Sequence, residues 1–328
     1  MSLLLRHSLL ALAALAAILL LTSVVDPFTN VRIATVGYYL VAVAGLTLLT
    51  GGNGQISLGH GAFMFIGAYT MALLVIHVPT FPCWLDLLLA AVAAGVAGAL
   101  TGAAAARLHG PYLAGATLAL AVGLPAVTQR FPEFLGGSNG LAFTVNSRPV
   151  GLAVPQTQWQ AWVVWTTALL ILVLLANVVR GRFGRMLRAV RDDEVSAALA
   201  GIHIGRTKIL AFLLSAVCGG LAGGLQAFLL GTAAPGSFTL ALSLSLLAAM
   251  VLGGVGSLWG ALWGALALVY IPAWANDLTH GLDLGTDVAQ HLPLAVFGLV
   301  LITIVLVFPR GIHGSVTRLW HTIRKGKA

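Results

Sequence analysis

Charge is what this sequence has least of. Asp, Glu, Lys and Arg make up 8% of its 328 residues, against roughly a quarter in soluble domains. Hydrophobic residues make up 59% and mean hydropathy is +1.00, which excludes a water-soluble globule. Cysteine is nearly absent: Cys83 and Cys218 are too few and too far apart for a disulfide framework or a metal site, and both read as packing residues. The nine histidines form no His-x-x-x-His or Glu-x-x-His cluster, so no metal ligation is indicated. A phosphate-binding loop needs Gly-Lys-Ser/Thr, but the only Gly-Lys pair, Gly326-Lys327, is followed by Ala328. If transport is uphill, its energy must come from a partner. The interiors of the apolar runs also lack Asp, Glu, Lys and Arg. Such groups are the usual marks of ion or proton coupling. Their absence argues against a proton- or sodium-driven transporter, and against a membrane enzyme built on paired carboxylates.

What the chain does have is long, continuous apolar runs of about 20 residues, the length a helix needs to cross a bilayer. Lipid leaves only helices and closed barrels as spanning structures, and barrel strands would alternate apolar with polar residues. The fold class is therefore all-α: a polytopic transmembrane helical bundle of about ten spans. These fall near residues 8–25, 31–50, 61–78, 85–106, 112–130, 159–179, 208–230, 240–255, 257–275 and 291–308. The stretch Met1–Val25, with Arg6 ahead of its apolar run, reads as a retained first span rather than a cleaved signal peptide. With the N-terminus inside, 14 of the 17 basic residues fall on inside segments; only Arg32, Arg130 and Arg148 fall outside. That asymmetry places both termini in the cytoplasm. The net charge of +8 then reflects topology, and nucleic-acid binding is not expected.

Residues 1–328 form a single transmembrane domain with outer loops at 131–158 and 276–290, a cytoplasmic loop at 180–206 and a basic cytoplasmic tail at 310–328. Small residues recur at four-residue spacing in Ser215, Gly219 and Gly223, in Ala94, Gly98 and Gly102, and in Gly260 and Gly264. Such rows let helix backbones approach closely in lipid. Two segments stand apart. In the cytoplasmic loop, Asp192 to Leu199 has the pattern of a short helix, with acids at its start, Gly201 at its end and an apolar stripe of Val195, Ala198 and Leu199. It reads either as a helix that docks into a cytoplasmic partner or as a basic loop kept for topology. In the second segment Gly51, Gly52, Gly54, Gly59 and Gly61 crowd around Asn53, Gln55, Ser57 and His60. Irregular backbone at membrane depth is tolerated where it lines a cavity, so this is either part of a substrate path or a tight turn. His60 alone reads as a packing histidine. A short echo of this segment occurs at Gly253-Gly254-Val255-Gly256-Ser257-Leu258-Trp259-Gly260.

At these segments and others the chain resembles the M-type permease subunit of bacterial branched-chain amino-acid ABC importers. The likeness rests on Gly54-Gln55-Ile56-Ser57-Leu58-Gly59-His60-Gly61-Ala62-Phe63, Gly110-Pro111-Tyr112-Leu113-Ala114 and Gly136-Gly137-Ser138-Asn139-Gly140-Leu141. It continues through Arg182–Gly201, Lys208-Ile209-Leu210-Ala211-Phe212, Val251–Gly260 and Phe308-Pro309-Arg310-Gly311. The resemblance implies a bacterial inner-membrane transport subunit, not an enzyme, carrying leucine, isoleucine and valine. Close relatives of the type carry urea or short amides; a passive channel is the rival from another class. It implies a homologous second permease, two cytoplasmic ATPase subunits that use ATP and magnesium, and a periplasmic or lipid-anchored binding protein. This chain would hold no cofactor or metal. The coupling loop would comprise Arg182, Gly184, Arg185, Arg188, Arg191, Asp193, Glu194, Ala197, Ala198 and Gly201, with Val195 and Ser196 interrupting the strict family pattern. Gly54, Gln55, Ser57, Gly59, His60, Ser138 and Asn139 would line the path or its gate.

Overall fold

The computed structural model describes residues 3–107, 111–145, 147–148 and 154–281, with residues 295–296, 298–299, 302–303, 306 and 311–314 beyond them. Most of the expected last span, of the second outer loop and of the basic tail therefore lies outside the described residues. Twelve α-helices are described: α1 (Leu3–Val24), α2 (Pro27–Leu46), α3 (His60–His77), α4 (Cys83–Ala105), α5 (Pro111–Arg130), α6 (Pro132–Leu135), α7 (Gln156–Arg180), α8 (Arg182–Asp192), α9 (Glu194–Leu199), α10 (Ile204–Leu230), α11 (Leu240–Gly253) and α12 (Leu258–Gly281). Two short strands, β1 (Leu141–Ala142) and β2 (Thr232–Ala233), pair antiparallel. The chain is a helical membrane bundle. By length and composition, seven described helices can cross a membrane: Pro27–Gly52, His60–His77, Cys83–Ala105, Tyr112–Arg130, Gln156–Arg180, Ile204–Leu230 and Leu258–Asp277.

Local sequence explains the helix ends. Asp26 caps α2 by accepting from the Thr29 amide and hydroxyl at 3.0 and 2.6 Å, and Pro27 suits the first helical position, where no amide donor is needed. At its far end α2 continues without interruption into a π-helical turn, Thr47–Gly52. The segment expected as a span at 240–255 is α11, of only 14 residues. At 1.5 Å per residue it reaches about 21 Å, short of the roughly 30 Å hydrocarbon core.

The hub is α10, which packs against α4, α3 and α2. Lipid tails are as apolar as leucine, so helix association depends on close van der Waals fit, and the small residues supply it. A side chain at Gly223 would overlap the Met64 carbonyl of α3; one at Gly98 would overlap Ala216. The pairs Gly98 with Ala216 and Gly224 with Leu87 run α4 antiparallel to α10. Gly219 beside His60 and Gly220 beside Gly67 run α3 parallel to it. Gly45 lies against Cys218, placing the lower half of α2 at the level of the middle of α10.

Candidate functional site

That pairing fixes where α3 begins. His60, its first residue, lies beside Gly219, fifteen residues into α10 and so about 22 Å from its start. The chain therefore runs down to the end of the π turn at Gly52, then climbs back without regular secondary structure before α3 starts midway up the bundle. The climb is made of Asn53–Gly59, the polar segment singled out in the sequence. Gly54 turns the chain with φ +74°, a left-handed conformation that glycine adopts without strain.

Backbone groups freed by this break must find partners, and neighbouring helices supply them. The Leu58 amide donates to the Thr117 hydroxyl of α5 at 3.1 Å. The Gly61 amide, in the first turn of α3, donates to the Ser243 hydroxyl of α11 at 3.0 Å. Within the segment, Asn53 Nδ2 donates to Gln55 Oε1 at 2.6 Å. Ser57 and His60 are fully buried, and Asn53 and Gln55 nearly so. His60 packs on Gly219 and edge-on to Phe63.

A second break lies alongside. Because Ser243 meets Gly61, α11 also begins midway up the bundle, and it descends to Gly253. There the Gly254–Ser257 turn reverses into α12, with a side chain at Gly264 excluded by the Ala249 carbonyl. The two echoing glycine runs of the sequence touch at this point: a side chain at Gly51 would overlap the Gly256 backbone. Gly311 packs on Gly254, bringing the chain back to the same place.

The loop between α7 and α10 packs against the first of these turns. It holds two helices where the sequence predicts one starting at Asp192. Asp192 ends α8, while Asp193 is extended and caps α9, accepting from the Val195 and Ser196 amides at 2.8 and 3.0 Å. Those bonds hold the Asp193 carboxyl below its ordinary range, the Ser196 contribution being the larger. The physical reason for the shift in start is that a cap needs non-helical backbone, and Asp193 has it. After α9 the chain leaves through Gly201, at φ +82°, with the Ile202 amide bonded back to the Ala197 carbonyl.

One face of α8 is buried through Gly184, Leu187 and Val190, and Gly184 lies too close to the Val179 carbonyl for any side chain. Arg182 and Arg185 are exposed, whereas Arg188 donates to the Val179 carbonyl at 3.1 Å. Arg191 turns toward the bundle and donates to the Gly51 carbonyl at 2.8 Å. In α9, Ala197 is buried, Ala198 is exposed, and Val195 and Leu199 stand 70% and 85% exposed. Glu194 pairs with Lys208 of α10 at 2.6 Å.

The structure thus brings Arg191 of the loop against Gly51 and Gly54 at one end of the bundle, and from there the segment climbs to His60 midway up. Ser138 and Asn139 are not brought to them. They are exposed on the turn that packs through Gly140 onto Ala233 of β2, beyond the opposite end of α10. Sequence reading missed Thr117, Ser243 and Lys208 as parts of the site. A lysine opening an apolar run, just after a loop that holds acids, was the available signal. Among the described residues no cluster of His, Cys, Asp and Glu could hold a metal ion.

The family described as "Branched-chain amino acid transport system / permease component" matches residues 28–305. The chain is 34% identical to the high-affinity branched-chain amino acid transport system permease protein LivM of Escherichia coli (strain K12), over 73% of this chain and 63% of LivM. It therefore spans less than two thirds of that relative's length. It is 28% identical to the permease protein LivH of Salmonella typhimurium, over 84% of this chain and 91% of LivH. It is 29% identical to the ribose import permease protein RbsC of Escherichia coli (strain K12), over 92% of each. No solved structure matches the chain.

Proposed function

Because this chain belongs to the permease-component family of branched-chain amino-acid transport systems, we propose that it is one of two homologous membrane subunits of an ATP-driven importer. The machine moves leucine, isoleucine and valine, delivered by an external binding protein, across a bacterial inner membrane. Both termini and the α8–α9 loop face the cytoplasm.

The observation that carries this reading is α9. Val195 and Leu199 are exposed on a short helix that is capped at Asp193 and tied to α10 through Glu194–Lys208. A helix ordered at both ends yet holding its largest apolar side chains outward is built to meet a partner. Two cytoplasmic ATPases, which use ATP and magnesium, are the partners the reading assigns to it. Arg182, Arg185 and Ala198 are exposed as well.

The path runs past the break at Gly54, Gln55, Ser57, Gly59 and His60. Asn53 Oδ1 and Gln55 Nε2 are buried without a protein partner, which suits groups bordering a wet route. Ser138 and Asn139 belong to the outer mouth, where cargo is handed over. The likeness to a ribose permease across 92% of this chain supports a common machine whose cargo is selected elsewhere. The binding protein then decides between branched-chain amino acids and urea or short amides.

The test is co-purification from the native membrane. Two ATPases and a second permease are expected with this chain, and both ATPases are expected to be lost from a Val195→Asp/Leu199→Asp variant. Recovery of the chain alone, passing leucine down its gradient without ATP, would sink the importer and leave a passive channel.

A further inference from the structure

Arg191 of the cytoplasmic loop reaches the broken helices directly. Its Nε and Nη2 are held by Asp192 Oδ1 at 3.0 and 2.8 Å, which leaves Nη1 aimed at the Gly51 carbonyl at 2.8 Å. Its stem presses on Gly54. Gly51 lies in the closing π turn of α2, where carbonyls lack helical partners and the helix dipole favours a cation. On its other side Gly51 abuts Gly256 in the turn between α11 and α12. One guanidinium therefore touches the first break directly and the second through a single intervening residue.

The other fastenings of the loop lead elsewhere. Glu194–Lys208 ties α9 to α10, an unbroken helix, and Arg188 ties α8 back to α7. Leu187 lies beside Gly52, but an apolar contact slides without directional preference. The charge-assisted hydrogen bond of Arg191 to Gly51 combines direction and strength.

We propose that Arg191 is a positioning residue of the transport cycle, linking displacement of the α8–α9 loop to the paired glycine turns rather than contacting the ATPases. The proposal rests on the importer reading above.

The experiment uses the complete complex from native membranes, with Cys83 and Cys218 replaced by Ala and Ile56→Cys as reporter. Ile56 is 52% exposed in the irregular segment. Its thiol-labelling rate is read without nucleotide and with ATP trapped by vanadate. With Arg191 in place the two rates should differ by about tenfold, the scale of one charge-assisted hydrogen bond. Arg191→Met keeps the stem against Gly54 but removes the donor; it should still bring both ATPases, yet its two rates should agree within about twofold. Arg191→Lys should recover part of the response. A purely structural role would move both rates together and leave their ratio intact. A full ATP response in Arg191→Met overturns the proposal, as does an Arg191 complex whose reporter ignores ATP. If Arg191→Met does not assemble, Arg191→Gln decides by the same ratio. Loss of the ATPases from the Arg191-bearing complex is a distinct failure: it removes the importer reading, and this proposal with it.

Discussion

Removing either half of the Glu194–Lys208 pair should have unequal consequences. The side chain of Lys208 is 5% exposed and that of Glu194 is 40% exposed. Glu194→Ala strands an ammonium that water scarcely reaches. Breaking a fully buried pair costs about 3–5 kcal/mol. Solvent access on the Glu194 side screens this pair, so about 1–3 kcal/mol is the fair expectation. Lys208→Met keeps the aliphatic stem in place, removes the buried charge, and leaves a carboxylate that can rehydrate where it stands. Its cost should stay within about 0.5 kcal/mol, as for a benign substitution. The assay is amide hydrogen exchange over α9, whose opening both changes affect locally. Glu194→Ala should speed exchange there by about 5- to 150-fold, the equivalent of 1–3 kcal/mol. Lys208→Met should speed it about twofold at most. The double variant should return close to Lys208→Met, differing by the few tenths of a kcal/mol that an acid adds in the first helical turn. If Lys208→Met loosens α9 as much as Glu194→Ala does, burial of the lysine is not what makes the pair matter.

Three further outcomes are expected. Gly223→Val should prevent folding or sharply lower the thermal midpoint of the purified chain, because its side chain would overlap the Met64 carbonyl; Gly115→Val, with open space around it, should shift the midpoint little. Thr117→Val should leave the part-buried Leu58 amide without its acceptor at a cost of about 1 kcal/mol, seen as a lower midpoint that Thr117→Ser restores. The Asp193 carboxyl is held below its ordinary range by the Ser196 and Val195 amides. Its cap is therefore complete above the unfolded pKa of about 4 and is lost only as pH falls through the lower folded value. Exchange protection of α9, corrected for intrinsic rates, should be level from neutral pH down to about 5 and fall below that only in the wild type, not in Asp193→Ala.

Seven of the ten expected span positions were legible because a long apolar run has one solution in lipid. The runs at 61–78 and 159–179 became His60–His77 and Gln156–Arg180. The half-length of α11 was not legible. Leu240–Gly253 is as apolar as a true span, and Gly254–Ser257 joins it to the next apolar run with little polar punctuation. The roles of Thr117 and Ser243 were hidden for another reason. A hydroxyl inside a span ordinarily bonds its own helix, as Thr70, Thr101 and Thr167 do through the carbonyls four residues back. Thr117 does this too, toward Leu113 and Ala114, and only the fold shows that it also accepts from Leu58. In the loop, three consecutive acids made a helix start visible, but which one caps depends on backbone angles that a row of acids does not encode. The likeness of the two glycine runs could be read in the sequence; their contact could not.

Those runs touch for a physical reason. A helix that stops inside a bundle leaves amide and carbonyl groups that lipid cannot satisfy, so each break needs donors or acceptors from another element. Here the first break takes Thr117 from α5, Ser243 from α11 and Arg191 from α8, and the second is pressed against the first through Gly51 and Gly256. Neither break can shift alone without stranding a polar group or forcing backbone atoms to overlap. Packed, hydrogen-bonded junctions of this kind respond to displacement in discrete steps rather than by gradual bending. A small movement of α8 would therefore be felt at the starts of α3 and α11, midway up the bundle, although α8 itself lies at its end.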